Sequence, residues 1–238
     1  MREPVEELFS KPSRVAYRAI KSVLGAAMNK AYRIRIEGLQ NVPQEGHAIL
    51  AANHISFLDS FFIPLAVPRR VTYLAKAEYW DSWKTRWFFD LVGQIPVRRH
   101  DSAKAQAALA AGRQVLDRGG LLGIYPEGTR SPDGTCYRGK TGVARMALDT
   151  RSPVIPVGLV GTREIMDKDA KMPRLRGDVT VRFGTPHTFA DDQDGDPLAL
   201  RTFVDGLMYD ICSLSGQDYK DEYADKRSKP RETVTSAA

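Results

Sequence analysis

Ala48-Ile49-Leu50-Ala51-Ala52-Asn53-His54-Ile55-Ser56-Phe57-Leu58-Asp59-Ser60-Phe61-Phe62-Ile63-Pro64-Leu65 sets a histidine and a carboxylate between two apolar runs. The first run is short and continuous and follows the turn residues Pro43, Glu45 and Gly46, which predicts a buried strand. In the second, Leu58, Phe61, Phe62 and Leu65 recur at helical spacing, with Ser56 three residues ahead of Asp59 as a candidate N-cap. His54 then falls in a strand-to-helix turn and Asp59 in the first helical turn. Residues five apart on one continuous helix point about 140° away from each other, so only a bend between them lets the two side chains meet. If they meet, the carboxylate takes one ring N–H and leaves the other nitrogen able to strip a proton from a hydroxyl. Two readings stand at this point. Asp59 orients a catalytic His54, or it is the acidic partner of a capping box with Ser56 while His54 is a hydrogen-bonded structural residue.

Outward from this stretch, the chain reads as alternating short apolar strands and amphipathic helices, the pattern of a single α/β domain. Ala16, Ile20, Val23, Leu24, Ala27, Met28 and Ala31 share one helical face, with Arg14, Arg18 and Lys21 almost opposite. This basic amphipathic helix either lies in a membrane interface or packs on the domain. Strands follow at 33–37, 71–75, 93–97 and 121–125. All three tryptophans fall in 79–89 among Lys84 and Arg86, which suits an interfacial belt or a core helix with snorkelling cations. Asp101 or Ser102 caps an alanine-rich helix closed by Gly119-Gly120.

The strand at 121–125 runs into Pro126-Glu127-Gly128-Thr129-Arg130-Ser131, a sharp turn carrying a carboxylate, a hydroxyl and a guanidinium at a strand end, where α/β sheets build their sites. A plain Glu127–Arg130 salt bridge would explain the same letters. A helix through Val143 and Met146 follows, then a strand at 154–160 whose Pro156 suggests an edge or a bulge, and a strand at 179–183. Asp196-Pro197 opens a last amphipathic helix.

The 238 residues allow one sizeable core. The formal charge of +6 suggests an anionic partner without choosing among a membrane surface, a phosphorylated small molecule and nucleic acid. Cys136 and Cys212 have no metal-ligand spacing and favour a reducing cytoplasm. No run approaches the roughly 20 apolar residues of a membrane span, and Arg18, Lys21 and Ser22 interrupt any signal-peptide core, so the expectation is a peripheral protein on the cytoplasmic face of a membrane.

Taken together, His54-x4-Asp59, Gly93-x5-Arg99, Glu127-Gly-Thr-Arg130 and Val154-Ile-Pro-Val157 resemble, in order and rough spacing, the four signature blocks of the lysophospholipid acyltransferase family. The resemblance covers about residues 30–190, and Asn-His-x4-Asp followed by Pro-Glu-Gly-Thr-Arg-Ser is its most specific part. It implies a glycerolipid-acyltransferase-like fold with a central, mixed, mostly buried sheet flanked by helices. It also implies direct acyl transfer from acyl-CoA or acyl carrier protein to a lysophospholipid or glycerol phosphate, most typically 1-acylglycerol 3-phosphate.

By resemblance, His54 is the general base and Asp59 its orienting partner. Arg99 and Arg130 hold the acceptor phosphate, Glu127, Gly128 and Thr129 shape that pocket, and Lys140 adds a further contact. No metal or cofactor is implied beyond the thioester co-substrate, and the partners are that donor, the acceptor and an anionic membrane surface, with no nucleic acid. The domain plan is an arm and interface helix at 1–31, an acyltransferase domain at 32–218 and a charged, disordered tail at 219–238. Two other readings compete. One is a lipid-binding protein with an idle site, and the other is a phosphoester hydrolase or nucleic-acid enzyme, although His47, His54, His100 and His187 show no zinc spacing.

Overall fold

Among the described residues seven strands form one sheet, whose central strands Ala48–Ala52 and Val154–Val160 are apolar runs covered on both faces, whereas Tyr32–Glu37 at one edge is mostly exposed. The computed structural model describes residues 14–76, 81, 94–97, 102–167, 170, 172–190 and 195–224. In spatial order the strands are β1 (Tyr32–Glu37), β8 (Gly177–Phe183), β7 (Val154–Val160), β2 (Ala48–Ala52), β5 (Leu121–Ile124), β3 (Val71–Lys76) and β4 (Ile95–Val97). From β7 to β4 all neighbours are parallel, β8 runs antiparallel to β7, and β1 is parallel to β8. The sheet is mixed and flanked by helices, as expected.

β2 lies at its centre with every residue buried. Its side chains alternate between two cores: Ala48, Leu50 and Ala52 face one cluster, Ile49 and Ala51 the other. Burial on both faces is why the strand reads as a continuous apolar run rather than an alternating one. Helix α2 (Asp59–Ala66) covers the first face through Phe62, Ile63 and Ala66. The second face is covered by α3 (Ser102–Asp117), α4 (Gly142–Thr150) and α6 (Pro197–Ser215), the last capped by Asp196 and closed by Gly216 in the left-handed region. A short helix, α5 (Thr162–Ile165), follows β7. No helix among the described residues is long and apolar enough to cross a membrane.

Three expectations change. Pro156 is not at an edge: β7 is paired on both sides. Its carbonyl accepts from Gly184, just past the end of β8, so its missing N–H faces a place where the β8 ladder has already ended. The N-terminal helix α1 (Arg14–Ala31) packs on a rotated face, with Tyr17, Ile20, Lys21, Leu24, Met28 and Ala31 half-buried and Val23 and Ala27 exposed. Lys21, expected among the outward cations, turns inward and donates to the Val67 carbonyl, and burial lowers its pKa.

Residues 219–222, which fall within the expected tail, are paired to the fold. β9 (Tyr219–Lys220) pairs with β6 (Cys136–Tyr137), and the Arg138 N–H donates to the Glu222 carbonyl. Of the 79–89 aromatic segment only Asp81 lies within the described residues, and Arg99 also lies outside them.

Candidate active site

After Ala52 the chain leaves the centre of the sheet at the carboxyl end of β2, and the turn to α2 folds Asp59 back over His54. Asp59 is fully buried. Its Oδ2 accepts from His54 Nδ1 at 2.9 Å and from the backbone N–H groups of Ile55 and Ser56, both at 2.8 Å. Its Oδ1 accepts from the Thr162 hydroxyl at 2.6 Å. Four donors on one carboxylate offset its loss of water. The bond to the Ser56 N–H has the sense of a capping box's return arm, but the helix begins at Asp59 with Leu58 at the N-cap and no side-chain cap bond, so the expected Ser56 cap does not form. Ser56 completes the turn by accepting from the Leu58 N–H at 3.2 Å and donating to the Met166 carbonyl at 2.8 Å.

With Nδ1–H directed at the carboxylate, Nε2 carries the lone pair, and it has no hydrogen-bond partner among the described residues. The His54 side chain is 17% exposed, enough for a substrate to reach. Its ring stacks on Tyr125, with centroids 3.8 Å apart and planes 11° apart. Tyr125 is steadied by the Ser60 hydroxyl at 2.8 Å and by the Tyr73 ring at 5.4 Å. The Tyr73 ring lies across Gly123 of β5, where a Cβ would come within 2.3 Å of it. A glycine in that strand therefore lets the aromatic stack form behind the histidine.

The Glu127 carboxylate is buried and points into the protein. Oε1 accepts from the His54 N–H at 3.3 Å and Oε2 from the Tyr137 N–H at 3.1 Å, while the Ser131 N–H donates to the His54 carbonyl at 2.7 Å. Burial pushes the Glu127 carboxyl up to about 8 against the pull of those two donors. Glu127 thus braces the 126–137 loop against His54. Gly128 takes φ +76°, and a Cβ there would lie 3.2 Å from Lys140 Nζ, so the lysine chain crosses the loop at this glycine. Thr129 and Arg130 are half-buried beside it.

Several further residues support the site. Asn53, fully buried, bonds both backbone groups of Leu159: Nδ2 donates to the carbonyl at 3.0 Å and Oδ1 accepts from the N–H at 2.8 Å. Its Nδ2 also donates to Gln217 Oε1 at 2.6 Å, and Gln217 Nε2 donates to the Gly134 carbonyl at 2.6 Å. Asp133 collects Thr135, Tyr137 and the Lys220 ammonium. Although burial opposes its ionisation, those donors hold it well below the usual carboxylate range. Only Asn53 had any pointer in the sequence, its place directly before His54; Thr162 and Gln217 come from segments more than 100 residues away.

Known proteins resemble this chain in sequence and in fold. A family model described as Acyltransferase matches residues 33–160, which contain every expected site residue. The chain is 31% identical over 156 residues to a chloroplast 1-acyl-sn-glycerol-3-phosphate acyltransferase of Arabidopsis thaliana, covering 65% of this chain and 44% of that protein. It is 29% identical over 137 residues to the 1-acyl-sn-glycerol-3-phosphate acyltransferase of Borreliella burgdorferi, covering 58% and 55%. The matches span about half the length of such curated relatives. The crystal structure of the 1-acyl-sn-glycerophosphate acyltransferase of Thermotoga maritima shares the fold, with a TM-score of 0.67 at 23% identity over 88% of this chain and 86% of that one.

Proposed function

The chain belongs to the Acyltransferase family, and on that premise we propose that it moves a fatty acyl group from a thioester donor to the free hydroxyl of 1-acyl-sn-glycerol 3-phosphate, giving phosphatidic acid. The observation that carries the reading is the His54 ring, held through Nδ1 by a fully buried carboxylate with Nε2 left as an acceptor. In the reaction, Nε2 takes the acceptor's hydroxyl proton as the oxygen attacks the thioester carbonyl. The C–S bond then breaks, and the departing thiolate recovers the proton from the imidazolium, whose charge Asp59 balances. A thioester is already activated, so the step needs no protein nucleophile. A positioned base contributes typically about 10²- to 10⁴-fold, and orientation of the two substrates supplies much of the rest.

Arg130 and Arg99 are assigned to the acceptor phosphate, for which a planar guanidinium is suited, with Lys140 reaching it across Gly128. Gly128 and Thr129 form the lip of that pocket, and Glu127 acts from beneath by holding the loop to His54. The donor is acyl-CoA or acyl carrier protein. The outer face of α1, with Arg18, Val23 and Lys30 exposed, is assigned to an anionic membrane surface, where the acceptor resides.

The test is product formation by the purified full chain with both donors against lysophosphatidic acid, glycerol 3-phosphate and lysophosphatidylinositol, read by mass. Phosphatidic acid is the expected main product. A faster reaction with another acceptor would replace the substrate assignment, and no turnover with any pair would overturn the function.

A further inference from the structure

Leu175 and Met172 are the most exposed large hydrophobic side chains among the described residues, at 81% and 78%. They sit in Met172-Pro173-Arg174-Leu175-Arg176, and both arginines are exposed as well. The segment is anchored rather than loose: the Arg174 N–H donates to the Ile165 carbonyl at 2.8 Å, and its carbonyl accepts from the Tyr32 hydroxyl at 2.9 Å. Gly177 then enters β8 so close to Ile165 that a Cβ would lie 2.7 Å from it. The backbone is thus pinned at one end of the sheet while two apolar tips and two guanidinium groups project outward.

That end is the one carrying His54. Ile165 closes α5, whose Thr162 bonds Asp59, and the next carbonyl, that of Met166, accepts from Ser56. β8 runs antiparallel to β7, so its first residues lie beyond the carboxyl ends of the parallel strands, where His54 follows β2. Among the described residues beside the loop, Asp178 is paired with Arg33 and Asp167 with Arg163, and the exposed Glu164 of α5 is outnumbered by Arg174 and Arg176, which give the surface a positive balance.

We propose that the 172–176 loop is a membrane wedge: Met172 and Leu175 enter the acyl region of an anionic lipid surface while Arg174 and Arg176 engage its headgroup phosphates, seating the mouth of the site on the bilayer. The partner is a lipid surface rather than a protein because isolated apolar tips flanked by cations insert into a fluid interface, with no groove needed to receive them. The inference rests on the acyltransferase reading for its purpose, since it brings a bilayer-resident acceptor to His54, but its binding arm can be tested without turnover.

The experiment compares the full chain with Met172→Ser/Leu175→Ser and Arg174→Gln/Arg176→Gln by co-sedimentation with phosphatidylcholine vesicles with and without phosphatidylglycerol. Wild type is expected to prefer the anionic vesicles. The serine pair should lose about tenfold or more in vesicle affinity, and the glutamine pair should lose most of the phosphatidylglycerol preference and its salt sensitivity. All three should melt alike, because the altered side chains are exposed. Both variants should acylate a short-chain, monomeric lysophosphatidic acid at the wild-type rate yet slow on acceptor embedded in vesicles. Wild-type vesicle binding by both variants would overturn the wedge, as would equal losses on monomeric and embedded acceptor, or a changed oligomeric state with unchanged vesicle binding. If wild type turns over no acceptor, the acyltransferase reading fails and the vesicle arm still decides the wedge.

Discussion

Among the described residues stand two histidine–aspartate pairs of nearly equal length, His54–Asp59 at 2.9 Å and His187–Asp210 at 2.7 Å, and their surroundings separate them. The first lies past the carboxyl end of β2, the second at the amino end of β7, where His187 makes two backbone bonds with Val154. Sites in parallel sheets gather at the carboxyl ends, so position alone already favours the first pair. Asp59 is fully buried and takes three donors besides the histidine; Asp210 is 40% exposed and takes no other hydrogen bond among the described residues. His54 is bound through Nδ1 and stacked flat on Tyr125, whereas His187 is bound through Nε2 and meets Phe203 edge-on. A histidine and a carboxylate in contact are common chemistry; a reactive pair also needs a fixed partner, one nitrogen kept open and a place at the working end of the sheet.

The largest effect belongs to His54→Ala, which should lower kcat/KM by about 10²-fold or more with the fold retained. Asp59→Asn comes next. Its amide nitrogen faces donors and inverts the preferred tautomer, so acyl transfer should fall by about 10²-fold, and orphaned backbone donors should cost about 1–3 kcal/mol in a denaturant titration. Gln217→Ala strips a half-buried amide from Asn53 and from the Gly134 carbonyl; we expect about 1–2 kcal/mol of lost stability, about 2–4 °C in Tm per kcal/mol, with a smaller loss of rate.

Glu127 sharpens the comparison through pH. Its carboxyl is raised in the folded state from 4.5 to about 8, so between those values the native protein holds a proton that the unfolded chain has released. The contribution to stability is complete below about 4.5, declines as pH rises through about 8 and is flat above. Thermal melts across this range should show that slope in wild type and lose it in Glu127→Gln. The smallest effect is that of His187→Ala: a solvent-accessible, half-buried pair is worth about 0–1 kcal/mol, and acyl transfer should be unchanged.

What the letters revealed follows from how local each feature is. The His54 turn was legible because strand, turn and helix follow one another within eighteen residues, and Asp59 reaches His54 from the first turn of its helix, although the Ser56 cap does not form. The loop at Glu127 was legible as a polar turn at a strand end, but not the direction of its carboxylate, since the partners His54 and Tyr137 are brought together only by the packed sheet. Asn53 stood in view beside His54, yet its role depends on Leu159 and Gln217, 106 and 164 positions away. Lys21 misled because a cation on a helix reads as outward, whereas its long stem lets the ammonium reach the Val67 carbonyl at the carboxyl end of α2. Tyr219-Lys220 read as tail because a two-residue strand has too few letters to show a period; its placement comes from pairing with β6.

The measurement that bears most directly on the account is the initial rate of thioester consumption and phosphatidic acid formation by His54→Ala and His187→Ala, assayed side by side with wild type after their melting curves have been matched. The account predicts that His187→Ala keeps the wild-type rate and that His54→Ala falls about 10²-fold or more below it. Equal rates for the two variants, or retained activity in His54→Ala, would contradict the assignment of His54 as the base.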